Sequence, residues 1–564
     1  MPFKTRHHAS KSNCNSSALC QIAGMSKPVP VHHALAQSLT DHQVKALFGL
    51  MGDANLFMVD HWMRHHGGRF IPVAHEGSAV LMAMGYAQVT GGIGVATVTH
   101  GPAVTNCVTA LVEGVKGHVP IVLLAGDTPA ENLLHHQNVD QREIFKATGA
   151  GFLQMRSPAT ATQDLARAFY RAGAERRPVV LNMPVDFMWE DAGPQAAPFE
   201  AFVQPQGIAQ SDVVDEAVGM IASARRPLIL AGGGAIRAKA ELVGLADRLD
   251  APLATTLRGN GLFGDHPANI GIIGTLSTPA AYEVMAQSDC VVAFGAGLHY
   301  YTTDHGKLLK GKRLVQIDID PAAIGRGMHP DAALIADAGP AADLIRYWLD
   351  EAEIAPSGFA KELDSDALSH HPTPPNRTPD GFVNYVDALE ALEDALPKDR
   401  IIVTDVGRFM TEIWARMTVP DPQSFVPATH FTCIGLGLQE AIGAAVAKPD
   451  RTVVACCGDG GFMLGGINEL HTAIRLGLNM VIVVANDSAY GAEHIQFEHR
   501  QMDPGNSHLD WPCFADVARA MGAQAMRVDG SAALHDALEM LKTRQGVAVI
   551  ELVLDPADVP PLRV

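Results

Sequence analysis

Short apolar runs of strand length alternate along the chain with longer stretches in which apolar residues return every three or four positions. From about Val31 the order runs HHALAQSLTDHQVKALFGL, RFIPVAHEGSAVLMAMGYAQVTG, GVATVTHGPAVTNCVTALVEGV, VPIVLLAGDTP and RPVVLNMPVDF. Strands separated by helical stretches predict a parallel, doubly wound sheet. EDAGPQAAPFEAFVQPQG, rich in Pro, Ala and Gly, interrupts the pattern as a linker. A second unit follows, with strands at RPLILAGGG, APLATTL, CVVAFGAG and RLVQIDIDP. PSGFAKELDSDALSHHPTPPNRTPDG breaks the pattern again, and a third unit holds RIIVTDVG, VVACCGDGG and GVAVIELVL. The prediction is an α/β protein of three doubly wound parallel-sheet domains, at 29–190, 209–350 and 379–564, with linkers at 191–208 and 351–378.

A chain of 564 residues exceeds one core, which agrees with three domains. Its net charge of −19 argues against a nucleic-acid or anionic-membrane surface. No apolar run is long enough to span a bilayer. Residues 1–28 are His-, Ser- and Lys-rich without an apolar signal core, so they read as a disordered tail, with Met25 as a candidate start. Eight cysteines without CxxC pairs read as reduced, mostly buried residues of a cytoplasmic protein.

Candidate chemistry concentrates between Val453 and Gly491. An apolar strand breaks into Gly458-Asp459-Gly460-Gly461, a helix follows, and a second strand ends at Asn486-Asp487. In an open parallel sheet two such strand ends lie side by side, where ligands bind. The glycines let backbone N–H groups approach a phosphate, and Asp459 and Asp487 offer oxygen ligands to Mg²⁺. The stretch reads as a metal-diphosphate site. In the first unit Glu76 starts an Ala- and Met-rich helix and is screened from water; alone, it reads equally as an acid favoured at a helix N-terminus.

The Val453–Gly491 stretch resembles the diphosphate signature of thiamine diphosphate (ThDP) enzymes, and the whole chain from about 30 to 555 resembles the acetolactate synthase and 2-oxo acid decarboxylase superfamily. The resemblance implies ThDP and Mg²⁺ as cofactors, with Asp459, Asp487 and the Ala489 carbonyl on the metal. Glu469 and Asp487 both lie one residue further from Asp459 than in the commonest members, which implies an insertion near Gly465-Gly466 and leaves Asn486 and Asp487 both as candidates. Glu76 inherits the role of the acid facing the aminopyrimidine ring, where burial raises its pKa towards the working range. The THGPAVTN segment, with His100 and Gly101, resembles the loop over the cofactor. TCIGLGLQEAIGAAVA resembles the helix behind the thiazolium, with Ile434 as the bulky residue that bends the cofactor and Gln439-Glu440 in place of small residues. TDVGR matches a phosphate-side loop, where Gly407 brings backbone close and Arg408 adds charge. Tyr490 closes the set of cofactor residues. In this family the Glu of one subunit meets the diphosphate site of another, which implies a homodimer or a dimer of dimers.

The reaction implied is C–C bond cleavage or formation on a small 2-oxo acid or hydroxyketone, through a thiazolium ylid and an enamine. Glu493 resembles the active-site Glu of pyruvate-type decarboxylases, and His135-His136 their paired histidines; both suit proton transfer. The QNVDQREIF segment resembles acetolactate synthases instead, so condensation and simple decarboxylation both stay open. Gly232-Gly233-Gly234 and QIDIDP resemble the region that holds FAD or ADP in relatives, but GAGLHYYTTDHG departs from the FAD-type pattern, and FAD is not an expected requirement. The alternatives are a 2-hydroxyacyl-CoA lyase or oxalyl-CoA decarboxylase, against which no basic cluster for CoA phosphates is evident, and a non-catalytic nucleotide-binding or regulatory protein on the same fold.

Overall fold

A computed structural model describes residues 28–199, 211–264, 266–368, 371–373, 377–557 and 559. Residues 1–27 of the predicted tail, and parts of both predicted linkers, lie outside the described residues. The chain forms three six-stranded sheets in which every pairing is parallel. The first contains β1 (Ala46–Gly49), β2 (Arg69–Pro72), β3 (Gly94–Val98), β4 (Ile121–Asp127), β5 (Gly151–Gln154) and β6 (Val179–Pro184). The second contains β7 (Pro227–Ala231), β8 (Leu253–Thr255), β9 (Asn269–Ile272), β10 (Cys290–Phe294), β11 (Arg313–Asp318) and β12 (Ala332–Ile335). The third contains β13 (Arg400–Thr404), β14 (Phe425–Pro427), β15 (Thr452–Gly458), β16 (Met480–Asn486), β17 (Gln524–Val528) and β18 (Val547–Val553).

The first and third sheets share one strand order, β2-β1-β3-β4-β6-β5 and β14-β13-β15-β16-β18-β17. The middle sheet runs β12-β11-β10-β7-β8-β9 instead. In the shared order the winding reverses between the first and third strands, so the crevice lies beyond the carboxyl ends of β13 and β15 in one domain and of β1 and β3 in the other. Central strands are apolar throughout, as parallel strands covered on both faces must be; β16 is buried at all seven positions.

The first and third domains are joined by a shared core. The helix Glu76–Thr90 is capped by His75, whose Nδ1 accepts from the Gly77 N–H at 3.1 Å, and it ends at Gly91 in the left-handed region. It is apolar on nearly every face because the helix Gly437–Ala447 of the third domain packs on it. Two glycines let the backbones touch. A Cβ on Gly85 would lie 1.9 Å from the Glu440 carbonyl oxygen, and one on Gly443 would lie 1.9 Å from that of Met82. Around this crossing Val80, Ala83, Leu438 and Ile442 form a single cluster with strands of both sheets.

Glu440, in the position where small residues are usual, is wholly buried at this crossing. Its Oε2 accepts from Gln88 Nε2 of the first domain at 2.9 Å, and Oε1 has no partner among the described residues. Burial, and secondarily the charge of Glu113, hold its pKa well above the usual carboxylate range. The native state therefore keeps a proton that the unfolded chain releases, so stability falls as pH rises above the unfolded carboxylate value of about 4.5. Glu440→Gln, neutral at every pH, is expected to melt above the wild type at pH 8, with the gap closing by pH 5. Thermal unfolding across that range is the check.

Candidate active site

Beyond the carboxyl ends of β13, β15 and β16 lies a cavity of about 1580 Å³, bounded on its far side by loops of the middle domain and of the first domain. The residues from Val453 onwards fold as the sequence indicates. After β15 the chain turns at Gly458 into a helix that begins at Asp459, passes through a π turn at Phe462–Gly466, and continues as Ile467–Arg475. A π turn is how a helix takes up one surplus residue, and it sits where the spacing from Asp459 to Glu469 predicts the insertion.

Asp459 Oδ1 accepts from the Gly460 N–H at 2.6 Å, while Oδ2 is shielded from solvent and has no hydrogen-bond partner of good geometry among the described residues. Burial, and secondarily the charge of Asp487, push the Asp459 carboxyl up to about 7, although the N–H groups of Ala489 and Ser488 face the carboxyl and work against the rise. Burial likewise raises Asp487 to about 6, against the opposing charge of Arg408. Two acids held together in a dry wall, one with an open oxygen, form a donor set suited to a hard divalent cation, and the Ala489 carbonyl lies on the same wall. Asn486 turns away: its Nδ2 donates to Glu551 Oε1 at 2.8 Å inside the sheet. Of the two candidates, Asp487 is the one that reaches the cavity. The Gly460 backbone lies against the Tyr490 ring, where a Cβ would approach to 2.7 Å, leaving an opening that suits a diphosphate.

Gly407, Arg408, Ile434, Gly458, Gly461, Tyr490 and Glu493 line the same cavity. Arg408 is less free than a phosphate-binding arginine would be, because its guanidinium donates to the Pro556 carbonyl at 2.6 Å and to that of Val559. Ile434 is placed by a residue that sequence reasoning passed over. Asp405, at the end of β13, accepts from the N–H groups of Gly435 at 2.8 Å and Leu436 at 3.3 Å, folding the loop that carries Ile434 over the cavity. Burial raises its carboxyl to about 6 despite these donors. It stands within the TDVGR stretch, but its partners lie some thirty positions away and leave no local signal.

The remaining predicted residues gather elsewhere. Glu76 Oε2 accepts from Asn106 Nδ2 at 2.9 Å. Buried His100 lies 3.2 Å from Asp53 Oδ1, and its ring meets that of His135 edge-on with centroids 5.2 Å apart. Gly101 adopts a positive φ of 61° under the Gln137 carbonyl, beside exposed His136. None of Glu76, His100, Gly101, His135 or His136 lines the Asp459 cavity. One chain thus carries two separate groups, at the switch points of its first and third sheets.

Glu469 ties the groups together. Its buried side chain accepts from the N–H groups of Ala74 at 3.0 Å and His75 at 3.2 Å through Oε1, and from Thr472 Oγ1 at 2.7 Å through Oε2. The turn that presents Glu76 is therefore clamped from the helix that follows the Gly458–Gly461 turn. Another expectation is corrected here: basic residues do cluster. Lys116, Arg176, Arg258 and Arg326 line the cavity, contributed by separate segments of the first and middle domains, with Glu175, Asp318 and Asp320 on the same lining. No run in the sequence shows them because they stand dozens of positions apart, with only Arg176 next to another basic residue.

The fold, with residue groups at the switch points of two doubly wound domains, defines a class of cofactor-dependent enzymes. Three family models cover most of the chain: "Thiamine pyrophosphate enzyme, N-terminal TPP binding domain" over residues 30–147, "Thiamine pyrophosphate enzyme, central domain" over 214–345, and "Thiamine pyrophosphate enzyme, C-terminal TPP binding domain" over 405–552. The chain belongs to the thiamine pyrophosphate-dependent enzymes. It is 29% identical to a sulfoacetaldehyde acetyltransferase of Alcaligenes xylosoxydans xylosoxydans, over 94% of each chain. It is 30% identical to an acetolactate synthase large subunit of Parasynechococcus marenigrum, over 89% of this chain and 84% of the relative. A probable 2-ketoarginine decarboxylase of Pseudomonas aeruginosa is 29% identical, over 93% of this chain and 94% of the relative. Among the described residues no helix is long and apolar enough to cross a membrane.

Glu469→Ala removes two hydrogen bonds that join two domains and a third, from Thr472, within its own helix, and is expected to cost about 2 kcal/mol. Glu469→Gln, which keeps one acceptor oxygen, should lose roughly half of that. Urea unfolding of the two variants beside the wild type is the measurement.

Proposed function

We propose that the protein is a ThDP- and Mg²⁺-dependent enzyme that cleaves or forms a C–C bond next to the carbonyl of a small 2-oxo acid, with condensation of the acetolactate type and simple decarboxylation both within its reach. The observation that carries this reading is the pair of buried acids, Asp459 with an open Oδ2 and Asp487 beside it, at a glycine turn on a switch-point cavity. Asp459, Asp487 and the Ala489 carbonyl would hold the Mg²⁺, with the backbone of Gly458, Gly460 and Gly461 around the diphosphate. When bound, ThDP supplies a thiazolium carbon that adds to a carbonyl and accepts the electron pair released as the adjacent C–C bond breaks.

The chain's own residues prepare that chemistry. Asp405 fixes the loop bearing Ile434, so that a bulky apolar side chain stands rigidly in the cavity. Glu76 is oriented by Asn106 on one oxygen, and its other oxygen would exchange a proton with the aminopyrimidine. Glu493, in the first turn of the helix Gly491–His499, and His135 with His136 are groups able to give or take a proton at the substrate carbon. The separation of the Glu76 group from the Asp459 cavity supports a homodimer in which each site takes its Glu76 from one subunit and its Asp459 from the other.

Glu76→Gln is expected to retain ThDP but to stop hydrogen–deuterium exchange at the thiazolium carbon, read by NMR after acid quench. Asp459→Ala should weaken Mg²⁺-dependent ThDP binding about tenfold or more. If sites are shared between subunits, the two inactive variants, mixed in equal amounts and allowed to exchange subunits, should recover about a quarter of wild-type activity. Pyruvate turnover followed by NMR separates acetolactate from acetaldehyde as product. Unchanged exchange in Glu76→Gln, or unchanged cofactor affinity in Asp459→Ala, would overturn the assignment.

A further inference from the structure

The loop that carries Ile434 is pinned at both ends, by acids from different domains. After Ile434, Asp405 of the third domain takes the N–H groups of Gly435 and Leu436. Before it, the first domain reaches in. Glu113 lies wholly buried in the helix Val108–Lys116, and its Oε1 and Oε2 accept from the N–H groups of His430 at 2.8 Å and Phe431 at 2.6 Å. The same end of that helix touches the loop twice more. A Cβ on Gly117, one turn after Glu113, would come within 2.6 Å of His430 Cδ2, so the ring packs against bare backbone. Lys116 Nζ stands 5.6 Å from the centroid of the Phe431 ring.

Between the two pins stand Thr432, Cys433 and Ile434, and all three line the cavity. Thr432 has a φ of 59° and is the only β-branched residue in the left-handed region among the described residues. There Cβ crowds the neighbouring carbonyl, and branching at Cβ adds to the crowding. Its hydroxyl compensates little, donating to the Thr429 carbonyl at 3.4 Å. Such a conformation persists only where the surroundings leave no other. Retreat towards the Gly458–Gly461 turn is closed, because the Gly435 carbonyl oxygen would lie 2.1 Å from a Cβ on Gly465. Return of Thr432 to a negative φ would turn the peptide that follows and swing Ile434 with it. That movement requires one pin to let go.

We propose that Glu113 is a positioning residue of the active site: from the first domain it holds the loop 430–436 of the third in a strained form, and that form keeps Ile434 in the cavity. The inference rests on the ThDP reading above and deepens it. Glu113 does not itself line the cavity and acts through the two amides it binds. A carboxylate suits the task because each oxygen accepts one N–H, away from competing water. A glutamine in its place keeps one acceptor oxygen and turns an NH₂ donor towards the second N–H, so Glu113→Gln removes one bond and opposes the amide that made it. Thr432→Gly acts on the strain instead, since glycine adopts a positive φ without steric cost. Removing the strain should therefore undo the effect of losing Glu113. A link that only joins the two domains has no such relation to Thr432.

The test begins with the full chain before cofactor is added. Thr432→Gly alone is expected to raise the melting midpoint by about 1 °C, and a lowered midpoint would remove the strain from the argument and overturn the proposal. Amide hydrogen exchange, read by mass spectrometry on the peptide holding Gly435 and Leu436, follows the loop itself. Glu113→Gln should exchange there about tenfold faster than wild type, and the double variant Glu113→Gln/Thr432→Gly should return to within about threefold. With ThDP and Mg²⁺, Glu113→Gln should keep cofactor affinity within about threefold yet slow hydrogen–deuterium exchange at the thiazolium carbon about tenfold, and the double variant should recover most of that rate. Equal rates in Glu113→Gln and wild type overturn the proposal. A loss that Thr432→Gly does not rescue makes Glu113 a structural link only and overturns it as well. The expected amide pattern in a wild type whose thiazolium carbon does not exchange would keep the loop clamp and overturn the ThDP reading.

Discussion

The backbone contact between the helices Glu76–Thr90 and Gly437–Ala447 is the constraint on which the site depends. Gly85 and Gly443 leave no room for a side chain, so the two helices can meet only in one register. Glu76 opens the first helix, and the loop bearing Ile434 runs directly into the second. A shift at the crossing would move both. In the proposed dimer these two residues serve different sites, so one packing contact would set the geometry of each half.

Buried carboxylates reinforce that contact, and they do so by binding backbone rather than cations. Asp405, Glu113 and Glu469 each take two or more N–H groups from segments distant in the chain. Such bonds fix loops without exposing the acids, at the cost of desolvating them. Glu440 is the exception, with a single donor and an unpartnered oxygen. It fills a place where the sequence departs from the usual small residue, and the departure is accommodated by Gln88 across the domain boundary.

Strand runs such as VPIVLLAG and MVIVVAN are legible because fully buried parallel strands are apolar along their whole length. Strand order is not written in such runs, and neither the shared order of the outer sheets nor the different order of the middle one could be read from them. The turn at Gly458–Gly461 and its acid were legible because they are adjacent in sequence. What joins Asp459 to Asp487 rather than to Asn486 is the side of β16 on which each residue falls, and the one-residue shift in spacing gave no way to choose. The clamps of Asp405 and Glu113 and the basic residues of the cavity lining were hidden for a common reason. Their members lie dozens of positions apart and come together only when separate loops meet over one cavity.

The π turn at Phe462–Gly466 bears on how such a site is measured. It separates two rigid points, the acid at the start of the helix and Glu469, which grips the neighbouring domain. Because the widened turn absorbs a residue locally, the face presented by the following helix does not depend on the number of residues before it. The interval that matters here is a length and an angle in space. A ruler graduated in residues would misjudge it, while the helix, graduated in turns, keeps both ends in place.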